Sequence, residues 1–252
     1  MEHLTIDINC DLGEGCANDA ELMKYISSTN IACGFHAGDR DTMRRTVELA
    51  RQNNVAIGAH PSYRDRENFG RTNMKIPAKE VYDIVTEQIA TLNDIAKSSG
   101  GKLAHVKPHG ALYNQAAKKR ELAAAIAQAV CDFDSELVLF GLSGSLSISE
   151  AKKYDLRTAN EVFADRTYQN DGSLTPRTIA DALIDDPEQA ATQVLDMIKY
   201  GRVRTVDAVM IKVAADTVCI HGDGGNAVNI AKTIHKSLIN AGVEIAAPRN
   251  GK

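Results

Sequence analysis

The 252-residue chain has no tryptophan, and its five cysteines, Cys10, Cys16, Cys33, Cys131 and Cys219, are odd in number and form no CxxC pair. That pattern argues against a disulfide framework, and a reducing, cytoplasmic protein with free thiols is the simple reading. No run of Lys and Arg exceeds three residues and the formal net charge is −4, so the basic footprint of a nucleic-acid binder is missing. No apolar stretch approaches membrane-spanning length. A strand-like run starts within a few residues of Met1, so no signal peptide is expected. Neither GxxxxGKS/T nor GxGxxG occurs, so no standard nucleotide loop is signalled, and there is no HExxH metal motif. Linkers, low-complexity segments and internal repeats are also missing, and a single domain spanning 1–252 is expected.

What the chain does have is alternation. Residues 4–10, 29–35, 55–59, 103–107, 137–142, 157–163 and 216–220 read as strands, and helical patterns with clear boundary signals lie between them. Asp39 suits the N-cap of a helix through about Gln52. Pro77 suits the first turn of one through about Ser98, closed by Gly100 and Gly101. An Ala-rich helix follows Asn114 to about Cys131. Pro187 opens another that ends near Tyr200 and Gly201, and a last one runs from Ala227 to Asn240 before Gly242. Seven strands in strict β/α alternation predict an α/β fold with a parallel sheet. The stretch 203–213 reads equally as an eighth strand, a hairpin or an insertion.

The apolar runs end in bursts of ionisable residues: Asn9, Asp11 and Glu14; His36 and Asp39; His60, Asp65 and Arg66; Lys107 and His109; Glu161, Asp165 and Arg166; His221 and Asp223. A parallel β/α enzyme assembles its site from such strand ends. Period two sharpens the pattern. Asp7, Asn9 and Asp11 share one face of the first strand, and Ile6, Ile8 and Cys10 share the other. His105 and Lys107 are aligned, as are Glu161 with Asp165 and Cys219 with His221 and Asp223. The small and polar faces are expected to look into a barrel.

Three chemistries fit these residues. Asp11, His36 and His60, from three consecutive strand ends, suit Zn²⁺ or another divalent ion; a hydrogen-bonded polar pocket fits the same spacing. His36, His60, His109 and His221 can move protons near neutrality, with Glu161, Asp165 and Asp223 as orienting groups or bases and Lys107 as a partner for an oxyanion or carboxylate. The GDGG turn at 222–225 and the GLSGS turn at 141–145 offer backbone amides to an anion, and Arg71 and Arg166 can add charge. His3 and His235 lack a strand-end setting and read as surface residues, while His105 lies within a strand and reads as a support to the site.

The segments IDINCDLGEG, NIACGFHAGD, VAIGAHPSYRDRENFGR, HVKPHGALYNQAA, EVFADRTYQNDGSL and CIHGDG, in this order, resemble the LamB/YcsF family from about Ile6 to about Gly242. Thr167 stands where Gly is common and Gly225 where Pro is common. The resemblance implies a distorted, seven-stranded parallel TIM-like barrel of the glycoside hydrolase/deacetylase type. It implies ring opening of 5-oxoproline to L-glutamate coupled to ATP hydrolysis, carried out with two partner 5-oxoprolinase subunits, B and C. Catalysis would fall to Asp11, His36, His60, Lys107, His109, Glu161, Asp165 and His221. Asn9, Glu14, Arg71, Arg166 and Asp223 would contact substrate, with Mg²⁺ or Zn²⁺ as a candidate divalent cofactor. Two other readings stay open: a metal-dependent deacetylase or amidohydrolase working by itself, and a non-catalytic scaffold or substrate-delivery protein. Loops 61–76 and 163–175, with Tyr63, Phe69 and Tyr168, would either anchor a partner or pack over the pocket.

Overall fold

The computed structural model describes residues 4–248; His3 lies outside them. Strands β1 (Thr5–Leu12), β2 (Ser28–Ala32), β3 (Ala56–His60), β4 (Leu103–Val106), β5 (Val138–Leu142) and β6 (Thr158–Phe163) are followed by a short pair, β7 (Arg202–Arg204) and β8 (Met210–Lys212), and then by β9 (Thr217–His221) and β10 (Glu244–Ile245). Helices α1 (Asp19–Leu22), α2 (Arg40–Gln52), α3 (Ala78–Ser98), α4 (Gly110–Lys118), α5 (Arg120–Phe133), α6 (Leu146–Ala151), α7 (Pro187–Tyr200) and α8 (Ala227–Asn240) fill the connections. Parallel pairing runs β1-β2-β3-β4-β5-β6-β9, and β9 returns to β1, which closes a seven-stranded barrel. β10 adds a two-residue flank to the start of β1.

The boundary residues act as their chemistry dictates. Asp39 accepts from the Thr42 backbone amide at 2.7 Å and starts α2. Gly201, at φ 60°, ends α7. The Ala-rich helix is instead two helices, broken at the extended Lys119. The break turns the chain, so that α4 lays Tyr113 edge-on to Phe163 while α5 lies along α3. The segment 203–213 resolves as an antiparallel hairpin, β7–β8, outside the barrel. His235 is half-buried, with its ring edge-on to Tyr25, and so is not simply a surface residue. Among the described residues no helix is long and apolar enough to cross a membrane.

The barrel is distorted at β3–β4, where the register shifts between Ile57 and Gly58. At the same place a side chain crosses the barrel. A Cβ on Gly58 would lie 2.0 Å from His105 Nε2, so only glycine lets that imidazole cross the interior. There His105 stacks on Phe140 and donates from Nε2 to Asn30 Oδ1 at 2.8 Å. Many barrels fill this space with aliphatic layers. Here buried Asp7, Asn9, Asn30, His105, Lys107, Glu161 and Thr217 occupy it, while Ile6, Ile8, Val162, Val218 and Ile220 belong to the hydrophobic core. Each such buried aliphatic side chain contributes about 1.5–3 kcal/mol. A polar interior is tolerable only if its groups are hydrogen-bonded, and that demand determines the site's layout.

Candidate active site

Strand register delivers the polar set to one end of the barrel. Asp11 pairs with Asn30 on one side and His221 on the other, and Ala32 pairs with His60. Lys107, just beyond β4, is 2% exposed. Its Nζ donates to Asn9 Oδ1 at 3.2 Å and Asp11 Oδ1 at 2.9 Å, lies 2.8 Å from Glu161 Oε1, and meets Cys219 Sγ at 3.1 Å. Burial alone would drive the proton off this ammonium. The Asp11 and Glu161 carboxylates outweigh it and hold the lysine pKa well above its usual range. Burial likewise opposes the Asp11 charge, but His60 and Lys107 prevail and hold that carboxyl well below its ordinary value. Asn30 Nδ2 bridges Asn9 Oδ1 and Asp11 Oδ1 at 2.7 and 2.8 Å. Glu161 Oε2 and the Tyr113 hydroxyl are buried without a well-formed hydrogen bond. Burial, then the charge of Glu161, raises the Tyr113 pKa well above its usual value.

Beside this knot, His36, His60 and His109 gather around Glu14. His36 Nε2 is 3.0 Å from Glu14 Oε1, His109 Nδ1 is 3.5 Å from it, and His60 Nε2 is 3.9 Å from it. His36 and His109 stack at 3.8 Å, and Phe69 closes over both rings edge-on. Gly70, at φ +67°, makes that approach possible: a Cβ there would come within 2.9 Å of both histidine side chains. Burial, then the neighbouring His60, lowers the His109 pKa to about 3; burial, with His109 and His60, also depresses His36. Burial, reinforced by Asp11 and Asp223, raises Glu14 well above the usual carboxyl range.

On the far side His221 Nδ1 donates to Asp165, 3.0 Å from either oxygen, and the His221 amide binds the same carboxylate. Burial would raise the Asp165 pKa, but His221 outweighs it and lowers it. The His221 ring stacks on Phe163. Arg71 and Asp223 meet at 2.8 Å and join the loop after β3 to the loop after β9. Arg166, a candidate anion contact, directs its guanidinium to the carbonyls of Thr175 and Ala182 in its own loop. In the GLSGS turn the Ser143 and Ser145 amides are already bonded to Glu161 and Leu142 carbonyls. Tyr63 and Tyr168 are fully buried. Of the two roles open to these loop aromatics, burial leaves Tyr63 and Tyr168 packing, while Phe69 is partly exposed.

The ligand-type side chains fall into two groups, Glu14/His36/His60/His109 and Asp11/Cys219/His221, each with its donor atoms within 4.8 Å of one another. Of the Asp11/His36/His60 set suggested by spacing, His36 and His60 fall in the first group and Asp11 in the second, with Asp11 Oδ2 3.4 Å from His60 Nε2. Asp11 lies inside the barrel at the level of Asn30 and His221, whereas Glu14 reaches the two histidines from the loop after β1. Ser62, Gln88 and Asn30 were not legible as site residues. Gln88 carries a faint signal, as the polar residue on the buried stripe of α3; its amide clamps Ser62, with Oε1 accepting from Ser62 N and Nε2 donating to Ser62 O.

The fold has relatives. A crystal structure of a lactam utilization protein from Thermus thermophilus is similar with a TM-score of 0.91 and 42% identity, over 97% of this chain and 100% of that one. A peptidoglycan deacetylase, PdaC, from Bacillus subtilis shares the fold at TM-score 0.50 and 12% identity, over 97% of this chain and 88% of its own. A polysaccharide deacetylase from Bacillus cereus does so at TM-score 0.50 and 12% identity, over 98% and 93%. The LamB/YcsF family profile matches residues 6–252. With that match, a closed seven-stranded barrel and a polar set drawn from its strand ends, the chain belongs to the LamB/YcsF family.

Proposed function

We propose that this chain is the barrel component of a three-subunit, ATP-dependent 5-oxoprolinase, opening 5-oxoproline to L-glutamate together with partner subunits B and C. The observation that carries the reading is the Lys107 knot beside the Asp165–His221 pair, in a chain 42% identical to a protein described as a lactam utilization protein. A five-membered lactam is a poorly reactive amide. Phosphorylation of its oxygen by ATP makes the ring carbon electrophilic. Water then adds, the C–N bond breaks with a proton delivered to the departing nitrogen, and a second water releases phosphate from the acyl phosphate.

The residues suit these needs. Lys107 keeps a positive charge where an oxyanion develops, in a site that excludes water. His221 has Nδ1 committed to Asp165, which leaves Nε2 to carry a proton. Arg71, with Asp223, can meet the substrate carboxylate. A divalent ion at the histidine group would polarise an oxygen or lower the pKa of water. B and C would dock at the mouth; exposed apolar candidates are Ile179, in the loop after β6, and Val206, whose amide binds the Tyr168 carbonyl of that loop.

The test is ATP-dependent glutamate formation from 5-oxoproline, measured with the chain alone and with B and C added. Turnover only in the three-component mixture supports the proposal. Robust ATP-coupled turnover by the single chain overturns its partner requirement. The four-ligand group around Glu14 also favours a second reading, a metal-dependent amide hydrolase working by itself; ATP-independent hydrolysis by the metal-loaded chain would select it.

A further inference from the structure

In their neutral forms, the ones that bind a metal, the three clustered imidazoles have hydrogen bonds that fix which nitrogen of each is bare. His60 Nδ1 lies 2.7 Å from the Lys107 carbonyl oxygen. A carbonyl only accepts, so Nδ1 carries the proton and Nε2 presents a lone pair. His109 Nε2 lies 2.8 Å from the Phe69 carbonyl oxygen, so its bare nitrogen is Nδ1. His36 Nδ1 meets Ser62 Oγ at 2.9 Å, and that hydroxyl donates onward to the Tyr63 carbonyl at 2.9 Å. Ser62 therefore accepts from His36 Nδ1, and His36 Nε2 is bare. Gln88 holds the Ser62 backbone through two bonds, at 3.0 and 2.9 Å.

All three lone pairs face one place. The bare nitrogens of His60 and His109 are 2.9 Å apart, and in the neutral rings neither has a hydrogen to give the other. Glu14 Oε1 sits 3.0, 3.5 and 3.9 Å from the bare nitrogens of His36, His109 and His60. Donors on a tetrahedral ion at about 2.0–2.1 Å stand about 3.3 Å from one another, a spacing that these separations bracket. Asp11 is differently placed. Its Oδ1 is held by Lys107 and Asn30, and its Oδ2 approaches His60 Nε2 at 3.4 Å without joining His36 and His109 in one group.

We infer that Glu14, His36, His60 and His109 form a binding site for one first-row transition ion of the Zn²⁺ class, with Asp11 outside the ligand set. Three imidazoles and one carboxylate favour such an ion over Mg²⁺, which prefers oxygen donors and water. The carbonyls of Lys107 and Phe69 and the Ser62 hydroxyl are the outer partners that orient bound imidazoles. The inference rests on this geometry and not on the lactam reading, and its test needs no substrate.

The experiment is equilibrium dialysis of the purified, chelator-treated chain against Zn²⁺ with metal analysis, and visible spectroscopy after Co²⁺ loading. The wild type should hold one Zn²⁺ per chain and give the intense d–d bands of a four-coordinate Co²⁺ centre. Asp11→Asn should keep both. His109→Ala and His36→Ala should weaken Zn²⁺ by more than about 100-fold. Ser62→Ala, which frees only the His36 tautomer, should weaken it by about 10–100-fold. Circular dichroism checks that each variant folds. If His109→Ala does not, His109→Gln and Ser62→Ala decide the question. A wild type that retains no metal, or whose His60 and His109 share a proton by ¹⁵N NMR in the presence of Zn²⁺, overturns the inference. So does loss of the metal in Asp11→Asn together with its retention in His109→Ala.

Discussion

The Lys107 knot and the histidine group touch, through His60 and Asp11 at 3.4 Å, yet they handle buried polarity in opposite ways. In the knot a buried cation lies among oxygens of Asn9, Asp11 and Glu161, and the asparagines tie those oxygens together. Donors meet acceptors almost throughout. In the histidine group the outward nitrogens are bonded to backbone or hydroxyl, while the inward ones face each other and a carboxyl group. The knot is nearly complete within the chain, whereas the histidine group turns its inward nitrogens toward one another and Glu14. A satisfied buried network rigidifies a fold, and an unsatisfied one is costly unless a ligand completes it. The contrast fits the proposal that the knot serves positioning and charge and the histidine group serves binding.

Breaking the knot should have the largest effect on stability. Lys107→Met leaves Asp11 and Glu161 buried without their cation, at a cost of about 3–5 kcal/mol, a large part of the whole for a domain of ordinary stability. Urea unfolding checks this, and a loss under about 1 kcal/mol would mean that the carboxylates are not charged as described.

A second break uses two carboxyls of one strand. Burial raises Asp7, at the other end of β1, from 3.8 to about 6 despite hydrogen bonds from Ser27, Ser28 and Thr217, whereas Asp11 is held low. Asp7 thus favours the folded state fully below pH 3.8, and that contribution disappears as pH rises through about 6. The shift corresponds to about 3 kcal/mol. Asp7→Asn should flatten the pH dependence of unfolding free energy between about pH 4 and 6. An unchanged profile would remove Asp7 as its source.

Gly58→Ala sharpens the comparison from below, because it forces His105 off Asn30 and so disturbs the network under Lys107. A cost of about 1–3 kcal/mol is expected, read from the denaturation midpoint; a neutral result would show that His105 has room to move. The exposed Arg71–Asp223 pair should matter least to stability. Arg71→Ala should change it by no more than about 1 kcal/mol, and a larger shift would make the pair a structural clamp across the mouth.

The barrel was largely legible in the sequence because its signals are local. Asp39, Pro77, Gly201 and Gly242 mark ends that backbone chemistry imposes, and period two separates Asn9 and Asp11 from Ile8 and Cys10. The site was legible as a set of strand ends but not as a set of pairs. Which end meets which depends on register and on loops that fold back, and neither is written within a few residues. Glu14 joins the histidines because the turn after β1 carries it over them. Tyr168 is buried because its hydroxyl returns to accept from the Phe163 amide at 2.7 Å. The Lys119 break answers to packing on α3 and Phe163, which helical periodicity does not encode.

If the mouth of the barrel does chemistry and does not merely support the fold, His60 can be replaced with the fold kept and turnover largely gone. The most direct measurement is ATP-dependent glutamate release by the assembled three-component enzyme containing His60→Ala, with thermal unfolding of the isolated variant followed in parallel. A folded variant whose rate is lower by about 10²–10⁴ is expected. A folded variant that turns over 5-oxoproline at near wild-type rate would contradict a chemical role for the mouth.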